Sequence, residues 1–207
     1  LSKKQKQRKG FFYELRDTFN RNLDDIDFDN FSDAWIERTV HTIFLNRTCF
    51  NGLFRVNSKG GFNVPFGDHK NPRICYEDNL RAVSELLQNT DIRRGDFTES
   101  RNFIDSNTFV YFDPPYRPLN KTSSFTSYSK FEFTDEEQLQ LATFFKEMDN
   151  KGAKLLLSNS DPKNENPEDE FFEEAYKSFN MKRVLANRAI NSKGEKRGKI
   201  SEIVIHN

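Results

Sequence analysis

Cysteine is nearly absent from this sequence: Cys49 and Cys75 are the only two. Two thiols cannot build a disulfide scaffold or, by themselves, a zinc site, so a reducing, cytoplasmic setting is the expectation. Net charge is lacking as well. The 32 Lys plus Arg balance 32 Asp plus Glu, so no overall basic field announces a nucleic-acid partner. No apolar run approaches the ~18 residues that a membrane span needs, and the start carries no apolar signal-peptide core. Hydrophobic residues amount to only 35%, with a mean hydropathy of -0.85. What the sequence has instead is phenylalanine, 22 of its 207 residues. Large aromatic rings bury enough area to build a core that the aliphatics alone could not, which argues against disorder. The length suits one medium domain or two small ones.

Periodicity divides the chain by texture. Leu1 to Lys9 holds four Lys and one Arg and reads as a solvated arm or a helix start. Phe11, Leu15 and Phe19 then fit a short amphipathic helix to Leu23, followed by an acidic loop from Asp24 to Asp29. A second helix is expected from Asp33 to Leu45, N-capped by Ser32, with Ile36, Val40, Ile43 and Phe44 on its inner face. Leu53–Val56 and Gly61–Val64, joined by a polar tip at residues 57–60, predict a β-hairpin. A helix over Tyr76 to Leu87 follows, with Leu80, Val83 and Leu87 turned inward.

The second half alternates strand and helix. Phe109-Val110-Tyr111-Phe112 predicts a buried strand, and Thr134 with Glu137 forms a capping box that opens a helix closed near Gly152. A strand at 154–157, a helix at 170–179 and strands at 182–185 and 200–206 complete the pattern. Such repetition indicates an α/β fold with a parallel sheet, the last two strands forming an antiparallel hairpin at one edge around a basic turn.

Asp113-Pro114-Pro115-Tyr116 stands at the carboxyl end of the 109–112 strand, where open α/β sheets bind ligands. One reading is a strand simply stopped by prolines, with Asp113 capping a turn. The other is methylation of an exocyclic amine. Such an amine is a poor nucleophile because its lone pair is delocalised into the base. A carboxylate (Asp113) and a rigid carbonyl (Pro114) can each accept one N–H, favouring a pyramidal nitrogen aimed at an incoming methyl group. Tyr116 offers a stacking face, and a base inside a duplex must be flipped out to reach it.

Phe44 to Asn57 (Phe-Leu-Asn-Arg-Thr-Cys-Phe-Asn-Gly-Leu-Phe-Arg-Val-Asn), Gly61 to Gly67, Gly95-Asp96-Phe97, Tyr111 to Leu119 and the ending Arg188 to Val204 together resemble the DNA adenine methyltransferase (Dam) family, which includes GATC-specific enzymes. The first block is more specific than Asp-Pro-Pro-Tyr, which recurs in several classes of amino-methyltransferase. The resemblance implies a class I, Rossmann-like methyltransferase sheet with a helical and hairpin DNA-recognition domain, divided here as residues 1–75 and 76–207. It implies S-adenosylmethionine as cofactor and double-stranded DNA as partner. On this carry-over Phe50 wedges into the base stack and Asn51 fills the vacated space. Arg55 reads a guanine edge, Leu53 and Pro65 touch a thymine methyl, and Asn57, Asn63 and Lys70 hold phosphates. Asp96 accepts the cofactor's adenine amine with Phe97 beside the ring, and Asp113 lies near its methionine end. Without the resemblance, Phe50 and Leu53 read as hairpin packing and Arg55 as a surface ion-pair residue.

The sequence also departs from the family. No two glycines stand in a G-x-G arrangement, so the Gly-rich cofactor turn and its strands are expected to lie outside the chain, as in a truncated or split enzyme or one completed by a partner chain. Asp68 and His69 replace the Arg and Tyr common in relatives, putting an acid beside the expected phosphates. The Ser- and Thr-rich loop at 120–128 fits either a DNA contact or a solvated loop. The alternative to an enzyme is a non-catalytic DNA-binding module.

Overall fold

The structure, a computed structural model, describes residues 2–21, 26–27, 30–119, 133–187 and 199–207. The loop at 120–128, the basic turn at 193–198 and most of the acidic stretch at 24–29 lie outside the described residues. The chain forms two compact units, one up to Ile92 and the other from Arg93 onward.

In the first unit the basic start is helical: α1 runs Lys3–Arg21. Phe12 and Phe19, seven residues apart, share one face and are buried with Leu45, Cys49, Phe62 and Val64. α2 spans Asp33–Thr48, and Ser32 sits at its N-cap without a side-chain capping bond. Its inner face differs from the apolar periodicity, because Ile36 and Val40 are exposed while Leu45 and Thr48 are buried. The reason is Arg38. Its guanidinium lies 3.7 Å from the Phe19 ring centroid and Nη1 donates to the Phe19 carbonyl at 2.7 Å. A planar cation therefore occupies the inward stripe that runs through Leu45.

The expected hairpin is pared to two isolated antiparallel bridges, Val56 with Phe62 and Cys49 with Phe66. Pro65 has no N–H to give a ladder, and the 3₁₀ turn Phe50–Gly52 interrupts the other side. Gly67 passes so close to the Cys49 carbonyl that any Cβ there would collide with it. α3, Glu77–Leu87, buries nothing: Leu80, Val83 and Leu87 are exposed, against the inward orientation the pattern predicts. No described residue covers that stripe.

In the second unit β1 (Phe109–Phe112), β2 (Lys154–Ser160), β3 (Asn180–Asn187) and β4 (Lys199–His206) form one sheet in the order β1-β2-β4-β3. The sheet is mixed: β1 and β2 run parallel, and β3 and β4 form the expected antiparallel hairpin at one edge, joined to the sheet through β4, which runs antiparallel to β2. α4 (Asp135–Asn150) opens on the Thr134–Glu137 capping box, and Gly152 follows its end at φ +85°. Leu141, Phe144, Phe145 and Met148 of α4 are buried in one cluster with Leu155, Leu157, Ile203 and Ile205 of the sheet. α5 is a short helix, Phe171–Ala175, rather than one reaching residue 179, because the chain turns after Tyr176 to enter β3.

β1 departs from the buried strand that its composition predicts. Phe112 is buried and contacts the rings of Phe144 and Phe145, but Phe109 and Tyr111 are 65% and 54% exposed. β1 forms an edge of the described sheet, so alternation sends 109 and 111 to the face opposite α4. That open face is where the Asp-Pro-Pro-Tyr loop begins. None of the described helices is long and apolar enough to cross a membrane.

Candidate active site and nucleic-acid interface

β1 stops where Pro114 and Pro115 remove two consecutive backbone donors. Phe112 pairs with Leu157, so the next step of the same register sets Asp113 beside Ser158. The Ser158 hydroxyl lies 3.4 Å from Asp113 Oδ1, to which it donates, and 2.8 Å from the Tyr111 hydroxyl. A serine has one proton, so donation to Asp113 makes Tyr111 the donor to Ser158. The Tyr116 phenol is raised above its ordinary pKa by burial first; a hydrogen bond with Ser158 opposes this, and the charges of Glu202 and Asp113 add to it. Asp113 itself is exposed and pairs with no cation among the described residues. No described donor reaches the Pro114 carbonyl.

The rest of the loop is tied down from the α4 side. Gln138 Nε2 donates to the Pro115 carbonyl at 2.9 Å, and Asn159 Nδ2 donates to Gln138 Oε1 at 3.2 Å. Asn159 Oδ1 accepts the Arg117 backbone N–H at 2.9 Å, and Ser160 Oγ donates to the Arg117 carbonyl at 2.6 Å. The Arg117 guanidinium bridges Asp135 at 2.7 Å and Asp169 at 2.8 Å over the Phe171 ring, and these two acids hold its pKa well above the ordinary arginine value. One side of the loop thus faces a saturated polar scaffold, and the other presents an acid, a carbonyl and a tyrosine.

Asp96 opens a 3₁₀ helix, Phe97–Phe103, as its N-cap. Its Oδ1 accepts from Thr98 N at 2.9 Å and from the Thr98 hydroxyl, and these bonds hold the carboxyl below its ordinary pKa. The second oxygen has no described donor. Phe97 is half-buried, its ring edge-on to Phe144 at 5.5 Å.

In the first unit the sequence-predicted DNA residues cluster around the pared hairpin. Phe50 is 54% exposed in the 3₁₀ turn, where Asn51 and Gly52 hold the left-handed φ values 59° and 63°. Asparagine and glycine are the residues that tolerate that region. Leu53 is half-buried, and Arg55, Pro65 and Lys70 are exposed. Arg55 Nε donates to Asn63 Oδ1 at 2.8 Å, which leaves both terminal nitrogens of the guanidinium available. Asn57 spends its side-chain oxygen on the turn, accepting from Lys59 N at 2.9 Å and Gly61 N at 3.0 Å. Asp68 is engaged by Arg8 at 3.2 Å and by Gln5, and Arg8 also donates to the His69 and Lys70 carbonyls. His69 Nε2 lies 3.0 Å from the Cys49 carbonyl. Asp68 therefore fastens this segment to α1, and the His69 side chain fastens it to the turn after α2.

Sequence reasoning missed Ser158, Gln138 and Asn159. The signals were there: Gln138 interrupts an apolar stripe continued by Leu141, Ala142 and Phe145, and Ser158-Asn159-Ser160 closes an otherwise apolar buried strand.

A mixed α/β sheet whose parallel strand ends in an open acid–proline–proline–tyrosine loop has the architecture of a methyltransferase. The chain belongs to the D12 class of N6 adenine-specific DNA methyltransferases, whose family model matches residues 1–190. It is 50% identical to the Type II methyltransferase M.MjaIII of Methanocaldococcus jannaschii, over 100% of this chain and 68% of that protein. It is 35% identical to the DNA adenine methylase of Haemophilus influenzae, over 94% of this chain and 62% of the relative. It is 30% identical to the DNA N-6-adenine-methyltransferase of Escherichia phage P1, over 93% of this chain and 24% of the relative. The chain thus spans at most about two thirds of the length of these relatives.

Proposed function

We propose that the protein transfers a methyl group from S-adenosylmethionine to the N6 amine of an adenine flipped out of duplex DNA, within GATC. The observation that carries this reading is the open face of the loop after β1. There the Asp113 carboxylate is exposed and unpaired by any described cation, next to a Pro114 carbonyl that no described donor reaches. Acceptors open on a loop whose Pro115 and Arg117 peptide groups are tied down match the two N–H groups of an exocyclic amine. Asp113 and Pro114 take one each, and Tyr116 stacks on the base. As the new N–C bond forms, positive charge develops on the nitrogen. Asp113 stabilises that charge and passes the surplus proton to solvent.

The residues of the second unit fit the cofactor. Asp96, ionised at neutral pH with one oxygen free, would accept from its adenine amine, with Phe97 beside the ring. When bound, the cofactor supplies an electrophilic methyl on a sulfonium. In the first unit Phe50 and Asn51 take the roles of wedge and filler for base flipping, Arg55 reads guanine, and Leu53 and Pro65 meet a thymine methyl. Lys70 holds phosphate together with the amide nitrogens of Asn57 and Asn63. Residues 1–75 serve recognition and residues 76–207 the chemistry.

The test is methyl incorporation into duplexes with and without GATC, by the full-length protein and its Asp113→Ala variant. Adenine methylation confined to GATC, abolished in the variant while DNA binding persists, is expected. Incorporation into cytosine, an unchanged variant, or DNA binding with no transfer by the parent would overturn the reading, the last in favour of a binding module.

A further inference from the structure

Gln138 and Asn159 are 1% and 0% exposed, and buried amides are costly unless every group is satisfied. Here part of the satisfaction comes from the loop after β1 and part from the Ser160 N–H, which donates to Asn159 Oδ1 at 2.9 Å. The chain of bonds begins at the Pro115 carbonyl, passes through Gln138 and Asn159, and ends at the Arg117 N–H. Both ends are backbone groups with fixed roles, an acceptor and a donor, so the orientation of each amide between them is determined by chemistry.

The network straddles Tyr116. Its first end pins the peptide between Pro115 and Tyr116, and its second end pins the peptide between Tyr116 and Arg117. The Pro115 ring fixes φ, so a single torsion, ψ of Pro115, separates the first pinned peptide from the one that carries the Pro114 oxygen. With β1 anchored to β2 on one side and the Pro115 carbonyl held on the other, that torsion is restrained, and with it the direction of the Pro114 carbonyl. An all-apolar substitute on α4 would fill the same space and leave that torsion free.

We propose that Gln138 and Asn159 are positioning residues for methyl transfer, aiming the Pro114 carbonyl and the Tyr116 ring from the buried side of the loop. The proposal rests on the methyltransferase reading above, and it assigns to neither residue any contact with the base or the cofactor.

Two variants of the full-length protein test it by steady-state methylation kinetics and DNA binding. Gln138→Met keeps the volume and removes both amide bonds. Its kcat is expected to fall roughly 10- to 100-fold, as small misplacements of reacting groups do, with DNA affinity and KM for DNA nearly unchanged. Gln138→Glu adds a pH signature. A buried carboxyl titrates above its ordinary range and, while neutral, can donate to the Pro115 carbonyl; once ionised it presents only acceptors to that oxygen. The ratio of variant to parent rate is therefore expected to be highest at the acidic end and to fall as pH rises. A parent-like kcat in Gln138→Met, or a ratio that does not change with pH, overturns the positioning role. Should Gln138→Met fail to fold, the pH ratio decides alone. A parent that methylates no adenine strikes the functional reading itself, an outcome distinct from an active parent whose variants are indifferent.

Discussion

Tyr176 shows how much of this protein's stability rests on rings rather than polar contacts. It is 2% exposed, its ring packed against Phe145 and Phe172, yet its hydroxyl is buried with no hydrogen-bond partner among the described residues. Burial holds the phenol well above its ordinary pKa of 10.0. Removing an unsatisfied buried hydroxyl removes its desolvation cost, so Tyr176→Phe should stabilise the fold by about 1 kcal/mol. The sign of the pH effect follows from the same shift. A raised folded pKa leaves stability intact below the unfolded value and erodes it as pH climbs toward the folded one. The parent should therefore weaken above pH 10.0 more than the Phe variant does. Denaturant unfolding at neutral and alkaline pH reads both effects; a less stable Phe variant would mean the hydroxyl has a partner after all. Ser158 is the opposite case, one hydroxyl placed between Tyr111, Tyr116 and Asp113 and so fully used.

At the scale of elements, α4 is the helix best specified by its own sequence. Thr134 accepts from Glu136 N at 3.2 Å, and Glu137 reaches back to Thr134 N at 2.8 Å and to its hydroxyl. Thr134→Ala should cost about 1 kcal/mol through loss of the cap. The hydrogen bonds from Thr134 hold the Glu137 carboxyl below its ordinary 4.5. A depressed carboxyl contributes stability above its unfolded pKa and loses it as pH falls through the folded value, so the gap between parent and Thr134→Ala should narrow below about pH 4.5. Thermal melts at pH 7 and pH 3 measure it, and a constant gap would refute the linkage. The capping box was legible because it is local, and the Asp-Pro-Pro break was legible for the same reason. The inner faces of α2 and α3 were not. Periodicity counts apolar residues, and it cannot see that Arg38 lays a flat cation on Phe19 in place of an aliphatic, or that nothing described covers Leu80 and Val83. The edge hairpin was legible, but the antiparallel pairing of β4 with β2 was not, since it is a tertiary pairing that strand composition does not encode. In the candidate site, the groups on the open face of the loop were readable as a motif. The groups behind it, Gln138 and Asn159, are ordinary amides until their partners are known.

The chain carries no net charge, so the DNA binding proposed above rests on local groups for any long-range attraction. α1 concentrates them, with seven Lys and Arg against one Glu and one Asp over Lys3–Arg21. Arg8 is spent on Asp68 and on the carbonyls of His69 and Lys70, holding the Lys70 backbone while its side chain stays exposed. Lys70 and Arg55 should then differ in kind. A phosphate contact weakens binding to every sequence alike and carries salt dependence, whereas a bidentate base contact discriminates. Lys70→Ala is expected to lower affinity evenly across duplexes and to reduce the slope of log K against log salt by about 1. Arg55→Ala is expected to cost about 1–3 kcal/mol on the preferred duplex and much less on duplexes altered at one base pair, relaxing preference there alone. Asn63, bonded to Arg55 Nε at 2.8 Å, leaves the two terminal nitrogens of the guanidinium free, the fork that the proposed contact with a guanine edge requires. Binding titrations across a salt series and a set of single-pair substitutions separate the two effects. If Arg55→Ala lowered affinity uniformly with a shallower salt slope, Arg55 would be a phosphate contact, and sequence reading would have to be sought elsewhere around the pared hairpin.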